Sequence, residues 1–144
     1  MSVLARNTLG EDFQPALSRD YSAVADSVPH ARTALVAVAQ SAGADEEQLE
    51  AVRLAVSEAL TNAVIHAYPD SGGCIHVVAW TGQGELVVEI ADDGLGFQTH
   101  TNTPGLGMGL GLISQVTDDF TIRHPHSGGT AVRMTFWLAP QAGA

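Results

Sequence analysis

Gly105-Leu106-Gly107-Met108-Gly109-Leu110-Gly111 sets four glycines at two-residue spacing directly before the apolar run Leu112-Ile113-Ser114-Gln115-Val116, which reads as the start of a helix. Glycine lacks a Cβ, so such a loop can take positive φ and turn several backbone N–H groups into one concavity. A following helix adds the partly positive end of its dipole, and phosphate is the natural ligand. Two familiar phosphate-binding patterns fail on spacing. A dinucleotide fingerprint needs glycine at the third step of G-x-G-x-x-G, where Leu110 or Leu112 stands here. A P-loop needs Lys and Ser or Thr after its glycines, and this chain has no lysine; its six cations are all arginine. A ligand at this loop is expected to be held by backbone donors and a metal ion.

Downstream of the loop, a helix is expected over about Gly109–Thr117, then a strand Phe120–Arg123. The turn His124-Pro125-His126-Ser127-Gly128-Gly129 leads to a strand Thr130–Leu138 that alternates cleanly. Upstream, Cys74–Trp80 and Glu85–Ala91 are β-branched and apolar and are separated by Thr81-Gly82-Gln83-Gly84, which predicts a hairpin. Before them, Leu49, Val52, Val56, Leu60, Ala63, Val64 and Ala67 recur at threes and fours and predict a helix over Asp45–Ala67, ended by Tyr68-Pro69-Asp70-Ser71-Gly72-Gly73. A first helix is expected from Ser27, with Pro29 tolerated in its first turn, to Gly43, and a strand near Ala16–Ala23. Helices that precede and interrupt antiparallel hairpins predict an α+β fold: a two-layer α/β sandwich with a mixed, mostly antiparallel sheet covered on one face by helices. Trp80 and Trp137 are expected in its core.

The 144 residues, 45% hydrophobic and 15% charged, suit one domain over 1–144, with 1–10 and 139–144 as loose tails. Sixteen acidic against six basic residues give a net charge of −10, which disfavours sequence-independent nucleic-acid binding and suits a basic partner protein. The single Cys74 permits no internal disulfide, no run of about 18 apolar residues is present, and the N-terminus does not resemble a signal peptide. A cytoplasmic protein without membrane partners is expected.

Glu58, Asn62 and His66 are spaced at four on the second helix and form one polar stripe on an otherwise apolar segment. An ordinary solvent-facing side is one reading. The other is a site, in which Asn62 gives a neutral oxygen suited to Mg²⁺ and Glu58 polarises an incoming hydroxyl. Ile90-Ala91-Asp92-Asp93-Gly94-Leu95-Gly96-Phe97 then sets an acid at a strand end before alternating glycines. Asp-Gly is a common turn signal, but a carboxylate fixed there can also accept a hydrogen bond from an exocyclic amine such as that of adenine.

The order Glu58…Asn62, then Asp92-x-Gly94-x-Gly96, then Gly105 to Gly111, resembles the N box and the first and second glycine boxes of the GHKL ATPase superfamily, the Bergerat ATP-binding fold. Within it, Val56-Ser57-Glu58-Ala59-Leu60-Thr61-Asn62-Ala63-Val64-Ile65-His66-Ala67-Tyr68 looks like the N box of the anti-sigma-factor serine/threonine kinases of bacterial partner switching. The resemblance covers roughly residues 15 to 138 and includes Ser127-Gly128-Gly129-Thr130 before the last strand. It implies ATP and Mg²⁺ as cofactors, with Glu58 as general base and Asn62 coordinating Mg²⁺ through the ATP phosphates. It implies Asp92 on the adenine amino group with Thr130 in support, Gly94 and Gly96 allowing backbone approach, and Gly105, Leu106, Gly107, Met108, Gly109 and Leu110 around the phosphates. His66 matches a histidine common beside the N box. The implied partners are a STAS-type anti-anti-sigma protein, which is phosphorylated, and a sigma factor, which is sequestered; some relatives also form homodimers.

Two departures weigh on the transfer step. Phe97 to Pro104 is short for an ATP lid, and Asn102-Thr103-Pro104 lacks a cation that some of these kinases carry before the second glycine box. A rival reading is therefore a nucleotide-responsive binding module acting on a phosphatase or another regulator. A histidine-kinase catalytic domain is a weaker rival, because no dimerisation helix with a phosphoacceptor histidine precedes the boxes. A hydrolase built on His124-x-His126 and Cys74-x-His76 lacks an acid cluster, and surface histidines with a core cysteine explain those residues better.

Overall fold

The computed structural model describes residues 12–67, 73–94, 104–125 and 128–138, with side chains given throughout except at 66, 67 and 104–109. Five strands, β1 Gln14–Ser22, β2 Cys74–Gly82, β3 Glu85–Asp92, β4 Asp119–Arg123 and β5 Thr130–Trp137, form one sheet in the order β1-β2-β3-β5-β4. All four pairings run antiparallel, as a mostly antiparallel sheet leads one to expect. Three helices, α1 Ser27–Ser41, α2 Glu46–Ala67 and α3 Pro104–Val116, cover one face. The expected tails at 1–10 and 139–144 lie outside the described residues.

Strand alternation decides which side chains meet the helices. Ile75, Val77 and Ala79 of β2, Leu86, Val88 and Ile90 of β3, and Val132, Met134 and Phe136 of β5 all point to one face and share a core with Ala31 and Leu35 of α1 and Val52, Val56 and Leu60 of α2. The central helix α2 is started by a reciprocal cap rather than by a helical Asp45. The Gln48 N–H donates to Asp45 Oδ1 and the Asp45 N–H donates to Gln48 Oε1, each at 2.8 Å. Pro15 falls inside β1, where an edge strand tolerates it, and the register shifts between Pro15 and Leu17.

The opposite face is not bare. Val78, Trp80 and Val87 form a second buried patch with Phe13 against it, and the Arg133 guanidinium lies 5.4 Å from the centre of the Trp80 ring. Beside it Glu89 is fully buried and doubly paired: Arg123 Nη2 donates to Oε2 at 2.7 Å, and Arg133 Nε and Nη2 donate to Oε1 at 3.0 and 2.8 Å. Such a carboxylate is tolerated in the sheet only because both its oxygens are met by guanidinium forks.

Four expectations are corrected. The β2–β3 turn is two residues, Gln83 (φ 55°) and Gly84 (φ 74°), rather than four, because two successive positive φ values match the twist of the flanking strands. Helix α3 begins at Pro104, not near Gly109, so the Gly105–Gly111 stretch is helical rather than a loop; proline's fixed φ suits a first turn. Trp137 is 61% exposed, since it sits at the end of β5 opposite Glu85, one row beyond the Trp80–Val87 patch. Cys74, expected in the core, is exposed at the first position of β2.

Candidate functional site

Helix α2 packs on α3 and lies over β3 and β5, so the Glu58–Asn62 stretch, the end of β3 and the glycine-rich segment belong to adjoining elements. Glu58 is half-buried. One turn further, Asn62 is buried, and its Nδ2 has no hydrogen-bond partner among the described residues. An orphaned buried amide costs about 1–3 kcal/mol, so a solvent-facing stripe does not explain this position. The amide suits either a phosphate oxygen accepting from its N–H or, flipped, a hard cation taking its oxygen. Mg²⁺ with ATP phosphates fits this residue. His66 lies in the last turn of α2, and its side chain is outside the described residues.

Asp92 ends β3, in register between Ile75 of β2 and Thr130 of β5, and is 7% exposed. Gly94 donates its N–H to Asp92 Oδ1 at 3.0 Å, and the Thr130 N–H also reaches the carboxylate. Burial pushes the Asp92 carboxyl above its usual range, while those two N–H groups and the nearby His76 partly hold it down. A buried acceptor fixed in this way is suited to a ligand N–H donor. Thr130 is itself buried at 2% exposure. Gly94 is half-buried, whereas Gly96 lies outside the described residues. Gly105, Gly107 and Gly109 lie in the first turns of α3, as do Leu106 and Met108, whose side chains are not described; Leu110 packs against the core.

Gly129 is a site residue that the sequence reading passed over except as part of the Ser127–Thr130 marker. It has φ +84°, and a Cβ there would lie 1.9 Å from the Asp92 carbonyl oxygen and 2.9 Å from the Asp93 Cα. Both the conformation and the close approach require glycine. Gly129→Ala is expected to destabilise the fold by about 3 kcal/mol, read as a fall in the midpoint of chemical unfolding, because the backbone beside Asp92 must move. A midpoint within about 0.5 kcal/mol of wild type would show that the approach is not tight.

A groove of about 920 Å³ between the three helices, lined by Arg32, Glu50, Arg53, Leu54, Ser57 and Gln115 among others, contains none of the residues above. The candidate site is thus set by buried polar groups on α2 and at the end of β3, outside this groove.

Residues 21–136 match the model of the histidine kinase-like ATPase domain. The chain belongs to that family. Among its relatives, the anti-sigma F factor of Clostridium acetobutylicum is 29% identical over 125 residues, covering 79% of this chain and 87% of its own. The serine-protein kinase RsbW of Bacillus mycoides is 31% identical over 131 residues, 81% of each chain. Among solved structures, that of the RsbU and RsbW domains of a Mycobacterium tuberculosis protein superposes with a TM-score of 0.68 at 25% identity. It covers 90% of this chain, which spans about a third (34%) of that one. As an ATPase domain of this family the protein uses ATP, and among the described residues no helix is long and apolar enough to cross a membrane.

Proposed function

We propose that this ATPase domain is an anti-sigma serine/threonine protein kinase of partner switching, which phosphorylates a STAS-type anti-anti-sigma protein and sequesters a sigma factor. The observation that carries the site assignment is the pairing of an orphaned, buried Asn62 amide one turn after Glu58 with a buried, backbone-held Asp92 carboxylate at the end of β3. The names of the relatives support the anti-sigma and serine-kinase parts of the reading.

In this reading Asp92 accepts the adenine amino hydrogen, with Thr130 behind it and the backbone at Gly94 and Gly96 allowing close approach. Asn62 holds Mg²⁺ against the phosphates, and the bound ion supplies neutralisation of their charge. The N–H groups of Gly105, Gly107 and Gly109 wrap the phosphates, with Leu106, Met108 and Leu110 between them, which requires the first turns of α3 to open. Glycine is about 1 kcal/mol poorer than alanine in a helix, so those turns are the easiest part of α3 to unwind. Glu58 accepts the proton of the partner's serine or threonine hydroxyl as its oxygen bonds to the γ-phosphorus, the bond to the β,γ-bridging oxygen breaks, and ADP leaves. His66 supports the site from the next turn. A phosphate placed on the antagonist then adds charge to its interface with the acidic kinase and weakens that contact.

The test is calorimetric titration with Mg-ATP and Mg-GTP, followed by transfer of labelled γ-phosphate to a STAS-domain antagonist. Saturable, magnesium-dependent binding of ATP over GTP is expected, and Asn62→Ala is expected to lose the magnesium dependence. Binding that is absent at millimolar ATP, or unchanged in Asn62→Ala, would reject the site.

A further inference from the structure

His76, at the third position of β2 on the face away from the helices, meets a carboxylate at each ring nitrogen. Its Nδ1 is 2.8 Å from Asp20 Oδ1 of β1, and its Nε2 is 2.8 Å from Asp93 Oδ2, one residue beyond β3. A neutral imidazole has one N–H and one lone pair, so it can donate to only one of these oxygens and would turn its lone pair on the other. Two such contacts require the imidazolium, whose N–H groups donate both ways. Asp93 stands between Asp92 and Gly94, and Gly94 is the residue whose N–H holds the Asp92 carboxylate. The ring therefore ties the turn that orients Asp92, across β2, to the edge strand β1.

We propose that the His76 imidazolium is a positioning residue for the nucleotide: by gripping Asp93 and Asp20 together it fixes the Asp92–Gly94 turn in the geometry that receives adenine, so that ATP affinity follows His76 protonation. This rests on the assignment of Asp92 to the adenine amino group.

Among the described residues, the charged groups around the ring are few. Asp20 faces it from β1 and Asp93 from the end of β3, with the Asp92 charge within reach. Further along the same face Glu89 of β3 is already engaged by Arg133 of β5 and Arg123 of β4. Burial by itself would lower the His76 pKa; the hydrogen bonds and charges of Asp93 and Asp20 outweigh it and hold the ring above its ordinary value of about 6.5. A histidine raised on folding contributes fully below the unfolded value and loses that contribution as pH rises through the folded one. The grip is therefore complete below the ordinary imidazole value and released as pH rises through the raised one.

The experiment measures ATP affinity from pH 6 to 9 for the wild type, His76→Gln and Asp20→Asn, alongside the His76 ring and Gly94 amide resonances of the nucleotide-free protein. Dividing the wild-type affinity by that of His76→Gln removes the titration of ATP itself. That ratio is expected to be about three- to fivefold at the acid end, the scale of an exposed charged pair, and to fall toward one as pH rises through the raised His76 value. The Gly94 amide is expected to titrate with the His76 ring, and Asp20→Asn to move the midpoint of both curves to lower pH. A purely structural histidine would change affinity equally at every pH, and a flat ratio overturns the proposal. So does a Gly94 amide that ignores the His76 titration, whatever ATP does. If the amide follows the ring but neither protein binds ATP, it is the adenine assignment of Asp92 that fails, and the positioning role falls with it.

Discussion

Asp92→Asn is expected to weaken ATP binding by about 100-fold while leaving the fold within about 1 kcal/mol of the wild type. The carboxylate has two oxygens, one of which accepts from the Gly94 N–H at 3.0 Å. An asparagine has a single oxygen, which the Gly94 and Thr130 N–H groups claim, so its NH₂ is left facing the adenine amino group, donor against donor. The loss is that of a charge-assisted hydrogen bond together with an unpaired buried donor, each on the order of 1–3 kcal/mol. Stability moves differently. Because burial raises the Asp92 pKa, the folded state binds this proton more readily than the unfolded one, and stability falls as pH rises from the ordinary carboxylate value through the raised one. A neutral isostere removes that penalty at neutral pH, which offsets part of the disturbed hydrogen bonding. Calorimetry with Mg-ATP together with urea unfolding reads both quantities. Unchanged ATP affinity would take Asp92 out of the site, and a large loss of stability would make it a structural residue.

How much of this was legible in the sequence depended on whether a local rule or a tertiary contact decides the position. The 3.6-residue recurrence from Leu49 to Ala67 gave α2 to within a residue, and alternation in Thr130–Leu138 gave β5, because both patterns follow from which face is buried. The glycine-rich stretch misled as to local structure. Two-residue glycine spacing reads as a loop, yet Leu106, Leu110 and Ile113 recur at four and three, and Leu110 and Ile113 pack into the core, so tertiary contact outweighs poor propensity. Trp137 and Cys74 were misplaced because alternation assigns a face but does not say where the covering layer ends. Of the site, Glu58, Asn62 and Asp92 could be singled out as polar residues in apolar surroundings. Gly129 could not, since its role is a close approach to the Asp92 backbone across the β3–β5 pairing. The His76 contacts were equally hidden: Asp20 and Asp93 stand 56 and 17 residues away, and only the antiparallel register places all three on one face.

Glu58→Gln is expected to lower phosphoryl transfer to the antagonist by about 100- to 10,000-fold, the range of a lost general base, with ATP affinity held within about twofold. Glutamine keeps the length and half-buried placement of the side chain but cannot take the hydroxyl proton, so the effect falls on the step in which the serine oxygen attacks. Single-turnover transfer of labelled γ-phosphate, with ATP binding measured on the same preparation, separates the two quantities. The short Phe97–Pro104 segment gives this comparison its force. If that segment leaves a site that binds nucleotide only to change its partner, Glu58→Gln and the wild type will show the same negligible transfer and the same partner binding, and Asn62 and Asp92 alone will matter. A fast wild-type reaction that survives Glu58→Gln would instead mean that the proton leaves by another route. A fast reaction that disappears with ATP still bound would place Glu58 at the serine hydroxyl, since no change in nucleotide binding would then account for the loss.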